Sequence, residues 1–191
     1  MFALGLVLGL ALFQTPHYAE RDTSNPAVKD FTDRVGRYWD LHKKVDGNAP
    51  PADKKKEPDP ALIIEHERAV SAGIRAARAN AAEGDMFTPA VQKVLIGTIN
   101  RQLSSGPGAK IRREMILGEG NPKNAESPAR VDLVVNGKYP PNAPLSTVPP
   151  SVLLSLPKLP QGMEYRFVGR HLILFDSKAN LIVDVLRNAI R

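Results

Sequence analysis

Four histidines are the side chains best suited to metal binding or acid–base catalysis in this sequence, because a neutral imidazole ligates transition metals and titrates near neutral pH. They are His17, His42, His66 and His171. No pair has the spacing of a metal motif such as HExxH. His42 and His66 fall on the apolar faces of predicted helices, where Glu65 or Asp40 could complete a weak metal site. We interpret both as histidines at the edge of a core, and we predict no metal and no cofactor.

Motifs for nucleophilic or phosphate chemistry are not found in the sequence. There is no GxSxG, no phosphate-binding loop and no GxGxxG. The absence of cysteine excludes disulfides, thiolate catalysis and zinc–thiolate sites. The serines of "LSSG" and "LSTV" are typical of caps and turns, and nothing singles out a pair of carboxylates for glycoside cleavage. The sequence therefore favours a protein without enzymatic activity.

Arginines on the predicted second helix form the most concentrated positive feature of the chain. At about 100° per residue, Arg68, Arg75 and Arg78 lie opposite the apolar side of that helix. The simplest interpretation is a solvent-exposed face, but guanidinium groups also bind carboxylates. We take these three arginines, together with Arg170, as candidate binding residues for an acidic partner.

The formal charge of +6 is spread along the chain, and no segment is strongly cationic. Nucleic-acid binding usually requires positive charge collected on one face, so this distribution argues against a nucleic-acid partner. A diffuse positive excess is better suited to an anionic surface or to another protein.

The N-terminus resembles a secretory signal peptide. An uncharged apolar run from Phe2 to Phe13 is followed by polar residues and Ala19. The run is shorter than the roughly 20 apolar residues that span a bilayer, so we predict no integral membrane span after processing. We predict that residues 1–19 are removed and that the protein is periplasmic or secreted.

Pairs of a capping residue and a proline predict where three helices begin. The pairs are Asn25–Pro26, Asp59–Pro60 and Thr88–Pro89. The second helix is expected to continue to about Glu83, because Gly84 follows. Small residues on it suggest close packing against the third helix as an antiparallel hairpin. A short fourth helix is expected over residues 111–117, and residues 46–60 are expected to form a linker that contains three consecutive lysines.

The remainder of the chain predicts a linker, an extended strap and a small sheet. Residues 118–130 are expected to link the helical region, 26–117, to the second part, 131–191. A strand from Val131 to Val135 should turn at Asn136–Gly137. Seven prolines from Pro140 to Pro160 predict an extended strap, with one turn of helix over Ser151–Ser155.

Three strands are expected at the C-terminus. Gly169–Arg170 suits a two-residue type II′ hairpin loop, and this places Val168 opposite His171. The resulting register puts Tyr165, Phe167, Leu172 and Leu174 on one face, and Arg166, Val168, His171, Ile173 and Phe175 on the other. Residues 181–186 supply the third strand. We expect one face to pack on the helices and the strap to cover part of the other, with Arg166 reaching over Ile173 to pair with Asp184.

Three segments carry a resemblance to known proteins. They are "AGIRAARANAAEGDMFTPAV", "VNGKYPPNAPLSTVPPSVLLSLPKLP" and "EYRFVGRHLILFDSKANLIVDVL". Together they resemble an uncharacterised group of small secreted bacterial proteins. The last segment is also similar to a C-terminal hairpin module of periplasmic proteins, including a family tied to nickel and cobalt homeostasis. The resemblance implies a bacterial, exported protein and brings no catalytic residues.

The sequence as a whole predicts an α+β fold. A bundle of three or four helices is joined by the proline-rich strap to a three-stranded antiparallel meander. We expect a non-enzymatic binding protein of the bacterial cell envelope. An envelope hydrolase and a periplasmic metal-binding accessory protein are the alternatives. A pocket with converging ionisable groups would favour the first alternative, and clustered His42 and His66 would favour the second.

Overall fold

The computed structural model describes residues 24–51, 59–104, 106–117, 132–140 and 148–191. Its elements are the helices α1 (Pro26–Asn48), α2 (Pro60–Ala77), α3 (Pro89–Gln102), α4 (Pro107–Leu117) and α5 (Pro150–Ser155), and the strands β1 (Met163–Val168), β2 (His171–Asp176) and β3 (Leu181–Leu186). The predicted α+β class is confirmed. The predicted signal peptide with His17, the lysine run and the linker 118–130 lie outside the described residues.

The three helix starts predicted from cap–proline pairs are confirmed, and two of them have side-chain caps. The side chains of Asn25 and Asp59 accept hydrogen bonds from the backbone N–H groups of Ala27 and Ala61, at 3.0 and 2.8 Å. Proline follows each cap, where its fixed φ and missing N–H cost nothing. Thr88 starts α3 without a side-chain capping bond. Among the described residues, no helix is both long and apolar enough to cross a membrane.

Several predicted helix boundaries were wrong. α2 ends at Ala77 and not near Glu83, because Arg78 leaves the helical conformation and its carbonyl oxygen accepts hydrogen bonds from Asn136 and Ala81. α1 continues to Asn48, three residues into the expected linker. α4 begins at Pro107, a turn earlier than expected, because proline is tolerated at a first helical position.

The sheet has the strand order β1-β2-β3, and both strand pairs are antiparallel. The predicted β1–β2 register is confirmed, with Val168 opposite His171. Gly169 has φ +56°, as the first position of a type II′ turn requires. The β2–β3 pairing shifts between Leu174, which faces Asp184, and Phe175, which faces Ile182. Val183 is therefore an extra residue in β3, and such a bulge redirects the side chains that follow it.

The main core joins the helices to one face of the sheet. Phe31 of α1 stacks on Phe87 and on Tyr165 of β1, with ring centroids 5.6 and 6.3 Å apart. The same cluster contains Phe167, Leu172 and Leu174, so one of the two predicted faces packs on the helices, as expected, and it is the face with Tyr165. The two halves of the chain share this core.

The expected hairpin of α2 against α3 was wrong. α1 is the helix that contacts both of them. Gly73, a small residue of α2, lies against α1, where an added Cβ would stand 2.5 Å from Cγ1 of Val45. A glycine in a helix permits close approach but does not specify which neighbour approaches.

The second face of the sheet has its own cover. Leu133 and Tyr139 pack on Ile173, Phe175 and other residues of a separate apolar cluster. Residues 148–160 of the strap instead contribute Val152 and Leu156 to the main core. The prediction that the strap covers the second face of the sheet was therefore wrong for these residues. The strand predicted from Val131 to Val135 was also wrong over residues 132–135, which do not pair with another strand. Val134 to Gly137 is a turn, and Lys138 forms an isolated bridge with Leu181.

Candidate functional site

An open pocket of about 280 Å³ lies beside the middle of α1, next to the end of α2. Its lining combines guanidinium groups with aliphatic and aromatic surface: Arg34, Arg37, Tyr38, Leu41, Arg78, Asp85 and Met86. Spacings of three and four residues place the α1 members on adjacent positions of one helix face. Three arginines that line one small pocket make it a candidate anion-binding site.

Two of the three arginines are held by internal contacts. Nε of Arg34 donates to the carboxylate of Asp30 at 2.9 Å, and Nη1 donates to the backbone oxygen of Asp85 at 2.9 Å. Arg78 donates through Nη2 to the backbone oxygen of Val183 at 3.2 Å, and its guanidinium lies 5.1 Å from the ring centroid of Tyr38. These contacts fix the walls of the pocket.

Arg37 differs from its two neighbours. Within the described part of the chain its guanidinium makes no hydrogen bond, ion pair or ring contact, and the residue is exposed. The nearest helical carboxylates are engaged elsewhere, since Asp33 pairs with Lys29 and Asp40 pairs with Lys43. Arg37 therefore offers its full set of N–H donors to a ligand in the pocket.

A buried carboxylate anchors the loop that carries Asp85 and Met86. Asp184 is fully buried and accepts hydrogen bonds at 2.7–2.9 Å from the backbone N–H groups of Gly84, Met86, Phe87 and Val185. Burial raises the pKa of Asp184, while these four donors oppose the rise by stabilising the ionised form. The β3 bulge at Val183 turns this side chain toward the loop.

A second buried carboxylate fixes Tyr38 at the wall of the pocket. The Tyr38 hydroxyl donates to Oδ2 of Asp176 at 2.7 Å, and Nδ1 of His42 lies 2.6 Å from the same oxygen. Burial by itself would raise the pKa of Asp176, but the hydrogen bonds from His42 and Tyr38 outweigh it and lower the pKa. An ionised carboxylate can only accept, so Nδ1 of His42 carries the hydrogen. This network lies inside the protein and fixes the positions of Tyr38 and His42 on α1.

The four predicted binding residues are not gathered on one surface feature. Arg68 and Arg170 are exposed on α2 and on the β1–β2 turn. Nε of Arg75 donates to the backbone oxygen of Asn136 at 3.0 Å, and Nη1 of Arg78 donates to the side-chain oxygen of the same asparagine at 3.3 Å. Asn136 has a positive φ of 62°, so these bonds hold a strained turn. Of the four residues, Arg78 is the one that lines the arginine pocket.

The two histidines considered for metal binding have separate partners. His42 is buried against Asp176, and its ring stacks on Trp39 with centroids 4.4 Å apart. Nδ1 of His66 lies 2.6 Å from the backbone oxygen of Pro50, and Nε2 of His66 lies 3.0 Å from Oδ1 of Asp46. No group of three or more His, Cys, Asp or Glu side chains that could hold a metal occurs in the described ranges.

The expected pair of Arg166 and Asp184 was wrong. Arg166 donates to Glu164 at 2.9 Å, and its guanidinium lies 4.1 Å from the ring centroid of Phe175, on the second face of the sheet. Asp184 faces the helices and binds backbone N–H groups. The register predicted from alternation did not include the bulge, which reverses the facing of Asp184 and of the β3 residues that follow it.

Sequence reasoning missed Arg34, Arg37 and Asp176, and it gave Asp184 the wrong partner. Arg34, Arg37 and Tyr38 are spaced three and four residues apart, which was the available signal for a shared face. For Asp176 and Asp184 the signal was a carboxylate at the end of, or inside, an otherwise apolar strand. Asp176 binds Tyr38 across 138 residues and Asp184 binds Met86 across 98 residues, and no spacing rule applies over such distances.

Comparison of the chain with protein-family models, with curated proteins and with solved structures found no match.

Proposed function

We propose that this protein is an exported, non-enzymatic binding module of the bacterial cell envelope, and that the arginine pocket binds an acidic side chain of a protein partner. The observation that carries the proposal is Arg37, a guanidinium at a pocket wall with no described internal partner. The apolar run near the N-terminus supports export.

The pairing of the pocket arginines supports a single carboxylate as the bound group. Asp30 neutralises Arg34, and Asp85 and Asp184 act on Arg78 electrostatically. Among the described lining residues, Arg37 is the arginine without a hydrogen bond or ion pair, so it is the one available to a ligand carboxylate. A carboxylate can accept two parallel hydrogen bonds from one guanidinium.

The remaining lining favours a glutamate side chain of a peptide. Leu41 and Met86 line the pocket beside the arginines and can pack on an aliphatic stem. The pocket is small and open, which fits one protruding side chain. None of the described residues that line it is a serine, cysteine or histidine. This lining suits binding more than bond cleavage and supports the non-enzymatic proposal over an envelope hydrolase.

Fluorescence anisotropy with a labelled hexaglutamate peptide tests the site. We expect saturable binding, and we expect Arg37→Gln to weaken it by about tenfold, or ~1.4 kcal/mol. A hexaglutamine peptide should not bind. Arg68→Gln and Arg170→Gln are matched controls that remove one exposed arginine each and should change the affinity less than about twofold.

Two results would overturn the site assignment. If Arg37→Gln binds the acidic peptide as tightly as the unmodified protein, the pocket is not the contact. If Arg68→Gln causes the larger loss, the exposed face of α2 binds the partner instead. Export is tested separately, by expression in a Gram-negative host and intact-mass analysis of the periplasmic fraction. Cleavage near Ala19 is expected, and retention of Met1 in cytosolic protein would contradict export.

A further inference from the structure

A larger groove lies on the opposite side of α1 from the arginine pocket. It has a volume of about 430 Å³, within the range of roughly 300–1,000 Å³ typical of small-molecule sites. α1, α3, the end of α5 and the segment after it form its walls: Val28, Lys29, Thr32, Asp33, Val94, Leu95, Thr98, Ser155, Pro157 and Lys158. At about 100° per residue, Thr32 of the groove points about 180° away from Leu41 of the arginine pocket, so the two sites lie largely on different sides of α1.

The lining of the groove is suited to a hydrocarbon chain. Val28, Val94, Leu95 and Pro157 supply aliphatic surface, and Leu95 continues into the main core. The hydroxyl groups of Thr32 and Ser155 donate to backbone oxygens of their own helices, at 2.9 and 2.7 Å. Their hydrogens are therefore used internally, and they make no strong demand for a polar ligand.

The charges at the groove favour an anionic head group. Lys29 forms an ion pair with Asp33 at 2.9 Å, so these two charges cancel. Lys158 is exposed and has no hydrogen bond or ion pair to any residue that the structure describes. The groove thus has one unmatched ammonium group beside an aliphatic surface.

We propose that this groove binds a small amphiphilic monocarboxylate, with the aliphatic chain on Val28, Val94 and Pro157 and the carboxylate at Lys158. Burial of methylene groups supplies most of the affinity, at about 0.8 kcal/mol for each CH₂ removed from water. The ion pair at the exposed end contributes less and selects the sign of the head group.

Isothermal titration calorimetry with decanoate tests the proposal on the purified protein. We expect one saturable site with a Kd below about 1 mM. Acetate, which lacks the chain, should not bind, and decyltrimethylammonium, which has the opposite charge, should bind several-fold more weakly. Val94→Trp should fill the groove and abolish binding, and Lys158→Gln should remove the preference for decanoate over decyltrimethylammonium.

The controls separate a filled groove from a disturbed fold. Lys93→Gln removes an exposed lysine of α3 that does not line the groove, and it should bind decanoate unchanged. Thermal unfolding of each variant reports folding, and Lys158→Gln lies at the surface, so it provides a test even if Val94→Trp is unstable. The proposal is overturned if decanoate does not saturate, if folded Val94→Trp still binds it, or if Lys158→Gln keeps the head-group preference.

Discussion

The hydroxyl of Tyr38 donates a hydrogen bond of 2.7 Å to the buried carboxylate of Asp176, which lies 138 residues later in the chain. The bond joins the middle of α1 to the end of β2, and Asp176 also accepts from the backbone N–H groups of Lys178 and Ala179 at 3.0 and 3.1 Å. One carboxylate therefore fixes a helix and a turn together. Because Tyr38 also lines the arginine pocket, the same bond positions a wall of the candidate site.

Tyr38→Phe should destabilise the protein by about 1–3 kcal/mol, because a buried acceptor loses one donor. Asp176→Asn should cost more, up to about 3–5 kcal/mol, since the ionised centre of the network is removed while its donors stay buried. Urea denaturation measures both values. Asp40→Asn is the control. The ion pair of Asp40 with Lys43 is exposed, so this substitution should lower the free energy of unfolding by less than about 1 kcal/mol. Equal losses for Asp176→Asn and Asp40→Asn would contradict the role of the network.

Acidification should reduce stability through Asp176. Its pKa in the folded protein is lowered, so the unfolded chain binds the proton more tightly. The stabilisation by this group is present above the ordinary pKa of an aspartate, near 4, and is lost as the pH falls through the lower folded value. The difference in unfolding free energy between the unmodified protein and Asp176→Asn should therefore narrow from about pH 6 to about pH 2.5. A constant difference over this range would show that the folded pKa is not lowered.

Asp184→Asn should release the loop of residues 84–87. An amide in place of the carboxylate brings N–H groups toward backbone donors, and some of those donors lose their acceptor. We expect a loss of about 2–4 kcal/mol in unfolding free energy. Amide hydrogen exchange should also become faster at Met86 and Phe87 than at Ile74, a core residue of α2. Unchanged protection at Met86 and Phe87 would mean that the carboxylate does not hold the loop.

Two glycines in helices should respond to alanine in opposite directions. Gly73→Ala places a Cβ 2.5 Å from Cγ1 of Val45, and this overpacking should cost about 1–3 kcal/mol. Gly36→Ala meets no atom within 4 Å and should stabilise the protein by about 0.5–1 kcal/mol, because alanine favours the helix. Thermal melts of both variants check the signs. The double variant Gly73→Ala, Val45→Ala should recover part of the loss, and no recovery would locate the strain elsewhere.

Binding of hexaglutamate should weaken as salt rises, because Arg37 is exposed and its charge is screened within about 10 Å at 0.1 M salt. The salt dependence should be smaller for Arg37→Gln than for Arg68→Gln if the pocket holds the carboxylate. Anisotropy titrations from about 0.02 to about 0.5 M NaCl measure the two slopes. Identical slopes would indicate a diffuse electrostatic contact with no role for the pocket.

Local features of the fold were predictable because neighbouring residues determine them. Asn25–Pro26 and Asp59–Pro60 cap and start helices through bonds that span two residues. Gly169–Arg170 determines the β1–β2 register, since the geometry of a two-residue loop leaves one pairing. The alternation of Tyr165 and Phe167 with Arg166 likewise assigns the two faces of β1. The amino-acid sequence by itself therefore determined the α+β class, the starts of α1, α2 and α3, and the C-terminal hairpin.

The candidate site and the packing of the helices were decided by tertiary structure. Arg37 lines a pocket because Arg78 and Met86 approach α1 from positions 41 and 49 residues later in the chain, and no local rule gives that approach. Asp184 turns toward the loop 84–87 because Val183 bulges, a one-residue change that alternation does not foresee. Gly73 packs on α1 and not on α3 because close approach needs a complementary surface, which exists only when the whole core is assembled.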